Sequence, residues 1–122
     1  MAYIYLICAF TLNAIANILL KVGSEKGIVL LSYSPILFFK NNWPFLLGLS
    51  LFVLNVIFYF LALRVTPLSV AYPVMVIMSF LIINLYAYFF LGEKITSMQF
   101  VGYVMIVLGI ILVFFFSNRA TV

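Results

Sequence analysis

The stretch AYIYLICAFTLNAIANILL, residues 2–20, contains no charged side chain. The hydrocarbon core of a bilayer is about 30 Å thick, and a helix needs about 20 predominantly apolar residues to cross it. Asn13 and Asn17 lie one helical turn apart, and Lys21 follows one turn later. At that spacing all three side chains share one face of a helix. The polar face of this first span is therefore built from amides and one terminal lysine, with no carboxylate.

The pattern recurs three times. Reading between charges and helix breakers gives spans at roughly residues 2–20, 44–63, 68–91 and 97–117. KVGSEKG ends the first, RVTP the second, GEKITS the third and SNRATV the fourth. Gly92 is placed to cap the third helix, and Thr96 or Ser97 to open the fourth. Backbone groups cannot stay unpaired in lipid, so four spans mean four helices. The expected fold class is an all-α integral membrane protein, with residues 1–122 forming one four-helix domain. Residues 28–43 are apolar but interrupted by Pro35, and Lys40 with Trp43 marks a membrane interface. This segment reads as an interfacial piece or short re-entrant turn, the alternative being an extension of the second span.

Composition agrees. The chain is 69% hydrophobic and 7% charged, against about 45–50% and about 25% in soluble domains. A globule this small leaves much of its surface exposed and has no room to hide so much apolar area. The net charge of +4 comes from six basic residues scattered singly, so it does not point to nucleic acid. Cys8 is the lone cysteine and histidine is absent, which leaves no zinc or redox motif. No nucleophile–base pair or phosphate loop is visible, so neither an enzyme, a metal nor a cofactor is expected. The first apolar run lacks a basic leading region and is too long for a signal peptide.

Four spans put the N-terminus, Arg64 and Arg119 on one side, and Lys21, Lys26, Lys40 and Lys94 on the other. Four against two favours cytoplasmic first and third loops, with both termini outside. The bias is shallow enough that insertion in both orientations stays open.

Both acids, Glu25 and Glu93, fall outside the spans. A proton-coupled cation carrier normally needs an ionisable group at mid-membrane. Asn13, Asn17, Asn55 and Asn84 are the membrane amides here. An amide both donates and accepts, so a ladder of them can solvate a polar group without carrying charge. Asn13 is read as lining a polar cavity, with Asn17 beside it. Asn55 and Asn84 are read as bridges between helices. Lys21 either grips a phosphate or snorkels to the interface.

In the third span, Pro73 lies inside the helix and is expected to bend it. Tyr72 offers a stacking ring and a hydroxyl, and Met75 and Met78 are pliable. These suit a moving transporter wall; a packing kink with an interfacial tyrosine is the plainer alternative. Gly102 and Gly109 in the fourth span are seven apart, as are Ala9 and Ala16 in the first. Small residues let helices approach closely in lipid, so a helix–helix contact through the glycines, and an oligomer, are expected.

YIYLICAFTLNAIANILLK, PLSVAYPVM and FLGEKITSMQFVGYVMIVLGIIL together resemble, in order and spacing, the small multidrug resistance branch of the drug/metabolite transporter superfamily. The resemblance covers nearly all of the chain except residues 28–43. The stretch from Leu91 to Gly109 is similar to EamA-type repeats and is its most specific part. The resemblance implies subunits that pair through Gly102 and Gly109. It implies that this pairing is often antiparallel, around a cavity lined by the first three spans, with alternating access and residence in a bacterial inner membrane. Asn13 stands where the drug exporters carry a membrane glutamate that binds protons and cationic drug. Tyr72 matches the family's tyrosine, Met75 replaces a tryptophan, and Pro73 replaces the kink glycines.

A glutamate-free first span and the AYP motif are closer to the small paired subunits similar to aminoarabinose-lipid flippases. The apolar insert before the second span also differs from the drug exporters. The expected function is a small transporter or flippase-like subunit for a polar or lipid-linked, phosphate-bearing substrate. The expected site is Asn13, Asn17, Lys21, Tyr72 and Met75. The partner would be a second copy or a similar four-helix subunit. Two other readings remain: a drug or quaternary-ammonium exporter coupled in another way, and a non-transporting scaffold subunit.

Overall fold

The computed structural model describes residues 2–27 and 34–120. They form five helices: α1 (Ala2–Lys26), α2 (Pro35–Asn41), α3 (Trp43–Leu63), α4 (Leu68–Phe90) and α5 (Ser97–Ala120). No strand occurs among the described residues. The helices α1, α3, α4 and α5 are each long and apolar enough to cross a membrane, so the chain is read as an integral membrane protein.

The first span was expected to end near residue 20, yet α1 continues to Lys26. At 1.5 Å per residue its 25 residues reach about 37 Å, enough to project beyond the hydrocarbon. Gly23 does not break it, because this glycine is buried against α3. An ion pair between Lys21 and Glu25, 3.5 Å apart at i,i+4, spans the added turn. The break falls at Gly27, whose φ of +73° only glycine adopts freely. Residues 28–33 of the expected interfacial segment lie outside the described residues. Its remainder forms the two-turn α2, while Trp43 opens α3, with the Lys26 ammonium 5.6 Å from its ring centroid.

The other boundaries fall close to expectation. Gly92, φ +66°, follows the end of α4, and Glu93 N–H donates to the Ala87 carbonyl at 3.1 Å. Thr96, rather than Ser97, opens α5: its N–H donates to Gln99 Oε1 at 2.9 Å, and Gln99 N–H returns to Thr96 Oγ1 at 3.4 Å. That reciprocal pair is a capping box.

The helix α1 is the centre of the assembly. It packs along α3 and, on another face, along α4, whereas α3 and α4 barely touch each other. Among the described elements the last helix, α5, packs against α4 alone. Lipid gives apolar surfaces no reason to leave it, so association depends on how closely backbones approach. The α1–α3 seam meets that need with two rows of small residues at seven-residue spacing. Ala9, Ala16 and Gly23 on α1 face Gly48, Asn55 and Ala62 on α3, and all six are buried.

The register is antiparallel. A Cβ built on Gly23 would sit 3.0 Å from the Phe45 nitrogen, and one on Gly48 would sit 3.1 Å from the Ala16 carbonyl oxygen. Further along, Asn13 meets Asn55, and Leu6 clusters with Ala62 and Ala71. On the other side of α4, Phe80 and Tyr103 stack edge to face with centroids 5.0 Å apart, joining α4 to α5.

The two glycine pairs therefore differ. Gly48 and Gly23 are consumed by the seam, while nothing lies within 4 Å of a Cβ at Gly102 or Gly109. Gly48→Leu is expected to cost about 1–3 kcal/mol through overpacking, read by detergent unfolding of the purified protein. In the unpaired subunit Gly102→Ala should leave that midpoint unchanged or raise it, since nothing in the chain lies within 4 Å of its Cβ and alanine favours helix. Equal losses at both positions would place the seam elsewhere.

Candidate functional site

The polar groups within the spans organise around the middle of α1. Asn17 Nδ2 donates to the Asn13 backbone carbonyl at 2.8 Å and approaches Asn13 Oδ1 at 3.4 Å. From α3, Asn55 Nδ2 reaches the same Oδ1 at 3.5 Å. Asn55 is only 4% exposed, and its own Oδ1 is buried without a partner. One turn along α3, the Tyr59 hydroxyl is likewise buried and unpartnered. Among the described residues these two buried polar atoms have no partner, the Asn55 carbonyl next to Asn13 and the Tyr59 hydroxyl towards the Leu6, Ala62 and Ala71 cluster, and an unpaired polar atom in hydrocarbon is costly.

Asn55 bridges α3 to α1, as expected of a membrane amide. Asn84 is not. Its Nδ2 donates to the Phe80 carbonyl of its own helix at 2.8 Å, an i−4 bond that the spacing alone always permits. The bridge from α4 is Ser79 instead. Its buried Oγ donates to the Met75 carbonyl at 2.7 Å and lies 3.2 Å from the Phe10 carbonyl on α1. Sequence reading passed over Ser79 and Tyr59. A lone serine in an apolar run was the available signal, since small hydroxyl residues concentrate at membrane helix interfaces.

Two cavities flank α4. A small one of about 250 Å³ lies between α1, the start of the α4–α5 connection and α4, lined in part by Asn17, Lys21, Asn84 and Glu93. A larger one of about 840 Å³ lies between α4 and α5 and is largely apolar. Asn84 lines both.

The five expected site residues are not gathered into one pocket within the chain. Asn17 and Lys21 face the small cavity. Asn13 is half-buried in the α1–α3 seam. Met75 packs against the cluster of Leu6, Ala62 and Ala71 near the opposite end of α1. Tyr72 is exposed, in the first turns of α4. Pro73 sits inside α4 beside it. The glycines of α5 point into open space.

Charge is confined to the helix ends. The two glutamates lie at the Lys21 end: Glu25 pairs with Lys21, and Glu93 lines the small cavity. Among the described residues no three His, Cys, Asp or Glu side chains approach as a metal site would require. The chemistry on offer within the spans is neutral hydrogen bonding, with the Lys21 ammonium and the Glu25 and Glu93 carboxylates at its edge.

No protein-family model, curated protein or solved structure matches this chain.

The unpartnered polar groups on α3 make a stability measurement informative. Asn55→Leu removes a long hydrogen bond but also a buried unpartnered carbonyl. The two effects oppose, so unfolding free energy should change by less than about 1 kcal/mol. A loss well beyond that in detergent unfolding would show Asn55 to be structural mortar.

Proposed function

We propose that this chain is a small transporter subunit of flippase type. It moves a polar or lipid-linked, phosphate-bearing substrate by alternating access. It works as a pair, with a second copy or a similar four-helix partner. The observation that carries the reading is the uncharged polar system at mid-helix. Asn13, Asn17 and Asn55 form a connected set of amides that includes a buried Asn55 carbonyl with no partner among the described residues, and the unpartnered Tyr59 hydroxyl lies one turn further along α3. Buried polar groups in a membrane helix are retained for substrate paths more often than for strength, since each bridge stabilises by only about 0.6 kcal/mol.

Amides accept and donate without titrating, so they offer hydroxyls and phosphate esters a replacement for water. With no carboxylate among them, they provide no proton to exchange for a cation. Lys21, which shares its exposed ammonium with Glu25 at 3.5 Å, can turn from that partner to an anionic headgroup at the mouth before the amides receive it. Four helices leave one wall open. The unoccupied glycine face of α5 supports pairing there, where a partner helix can approach to backbone distance.

The test is translocation in sealed vesicles. The protein, reconstituted with a fluorescent polyprenyl phosphate, should accelerate that lipid's exchange between leaflets. Asn13→Ala should slow it about tenfold, the scale of one or two lost contacts, while the helical spectrum stays intact. Addition of a lipophilic cation should release no protons. Proton release would move the chain to the exporters. Inertness towards both lipid and cation would leave the scaffold reading. In the same vesicles, Gly102→Leu combined with Gly109→Leu should abolish crosslinked dimers.

A further inference from the structure

The two cavities on either side of α4 have opposite chemistry and meet at one residue. The large one is walled by α4 from Phe80 to Phe89 and by α5 from Ser97 to Leu108. At 1.5 Å per residue those walls run about 14 and about 17 Å, half of the roughly 30 Å hydrocarbon thickness. The groove therefore matches the depth of a single leaflet. That length is too short to seat a spanning helix of a partner. Its only polar wall outside Asn84 and two tyrosines is Thr96 and Ser97, at the membrane-surface end beside Lys94.

The small cavity has the complementary make-up, with Asn17, Lys21, Asn84 and Glu93 in its wall. Asn84 stands on the ridge between the two. Its Nδ2 is engaged with Phe80, whereas its Oδ1 has no partner among the described residues. The membrane face at this end carries Lys21, Lys26, Lys40 and Lys94 against Glu25 and Glu93, an excess of two positive charges.

We propose that the two cavities form one amphipathic site, in which a phosphate-bearing lipid of the leaflet on the Lys94 side lays its hydrocarbon tail in the α4–α5 groove and turns its headgroup past Asn84 towards Lys21. This rests on the flippase reading and adds where the substrate waits before it crosses. The tail enters sideways from the bilayer, so no apolar chain has to pass through the amide seam. The headgroup meets the lysine first and Asn17 next, one helical turn deeper along α1. The groove face of α5, which includes Val104 and Leu108, is separate from the face carrying Gly102 and Gly109. A subunit paired through its glycines still presents the groove to lipid.

The experiment is photolabelling of the full chain in nanodiscs. Two probes are used: a polyprenyl phosphate with a diazirine in its chain, and the matching phosphate-free polyprenol. Adducts of the first should concentrate on the walls of the groove. Val104→Trp, which fills it, should cut labelling about fivefold or more, and Met105→Trp, at an exposed position that does not line the groove, should not. Leu85→Phe gives a milder filling of the opposite wall should the tryptophan variant fail to fold. Lys21→Gln should lower labelling by the phosphate probe about three- to tenfold, the scale of one partly exposed charge-assisted contact, and leave the polyprenol unchanged.

Adducts spread evenly around α5, or equal effects of Val104→Trp and Met105→Trp, would overturn the tail site. A Lys21→Gln variant that labels normally with both probes would overturn the headgroup path. Labelling reads binding alone, so it separates from the vesicle assay. Lipid translocation without groove adducts sinks this site and spares the flippase reading; groove adducts without translocation do the reverse.

Discussion

The close antiparallel approach of α1 to α3 is the constraint on which the rest of the structure depends. In lipid the helices gain nothing by hiding apolar surface from one another, so they need contact at backbone distance. Gly23 and Gly48 supply it, each with a neighbouring helix where its own Cβ would be. Ala9, Ala16 and Ala62 extend it. A repeat of seven keeps these residues on one seam over several turns. With α1 clamped on one face by α3, its other face is free to carry α4, and α5 follows only because α4 is there.

The same seam sets the polar chemistry. Asn55 occupies the middle place in the small-residue row of α3, between Gly48 and Ala62. It therefore meets Asn13 within the same close-packed seam. Two amides in such a seam have few ways to satisfy all their donors and acceptors, and the Asn55 carbonyl is left over. A seam selected for packing alone would place alanine there. Keeping an amide there trades apolar packing for polarity at mid-membrane. Asn17 and Lys21 carry the polarity outwards along the same face of α1, to the cavity they share with Asn84 and Glu93.

Much of this was legible in the residues. The four apolar runs, the Gly92 stop and the capping residue at Thr96 follow from local rules that lipid makes stricter, and their bounds held within a few residues. The first run was the exception. Gly23 looks like a breaker in KVGSEKG, but a glycine against another helix's backbone is a packing residue, and nothing local distinguishes the two. Ala9 and Ala16 were recognised as a contact face because their spacing is visible. Gly48, Asn55 and Ala62 have the same spacing and were passed over, since Asn55 disguises the row. Asn84 and Asn55 looked alike as isolated membrane amides. Only their positions relative to α1 make one a bridge and the other the ridge between two cavities.

The sequence by itself determined that the chain spans a bilayer as four helices, that its charges sit at their ends and that its buried polarity is amide rather than carboxylate. Those properties are fixed by side-chain transfer energies and by the length of a helix, which need no knowledge of neighbours. The tertiary structure alone decided which face of each helix is consumed in packing and which is left to lipid. It used up Gly23 and Gly48 and left Gly102 and Gly109 open. It set Tyr72 and Met75 apart from the amides and opened a one-leaflet groove between α4 and α5. Pairwise packing is a relation between helices, and a periodic row of small residues does not name its partner until two backbones meet.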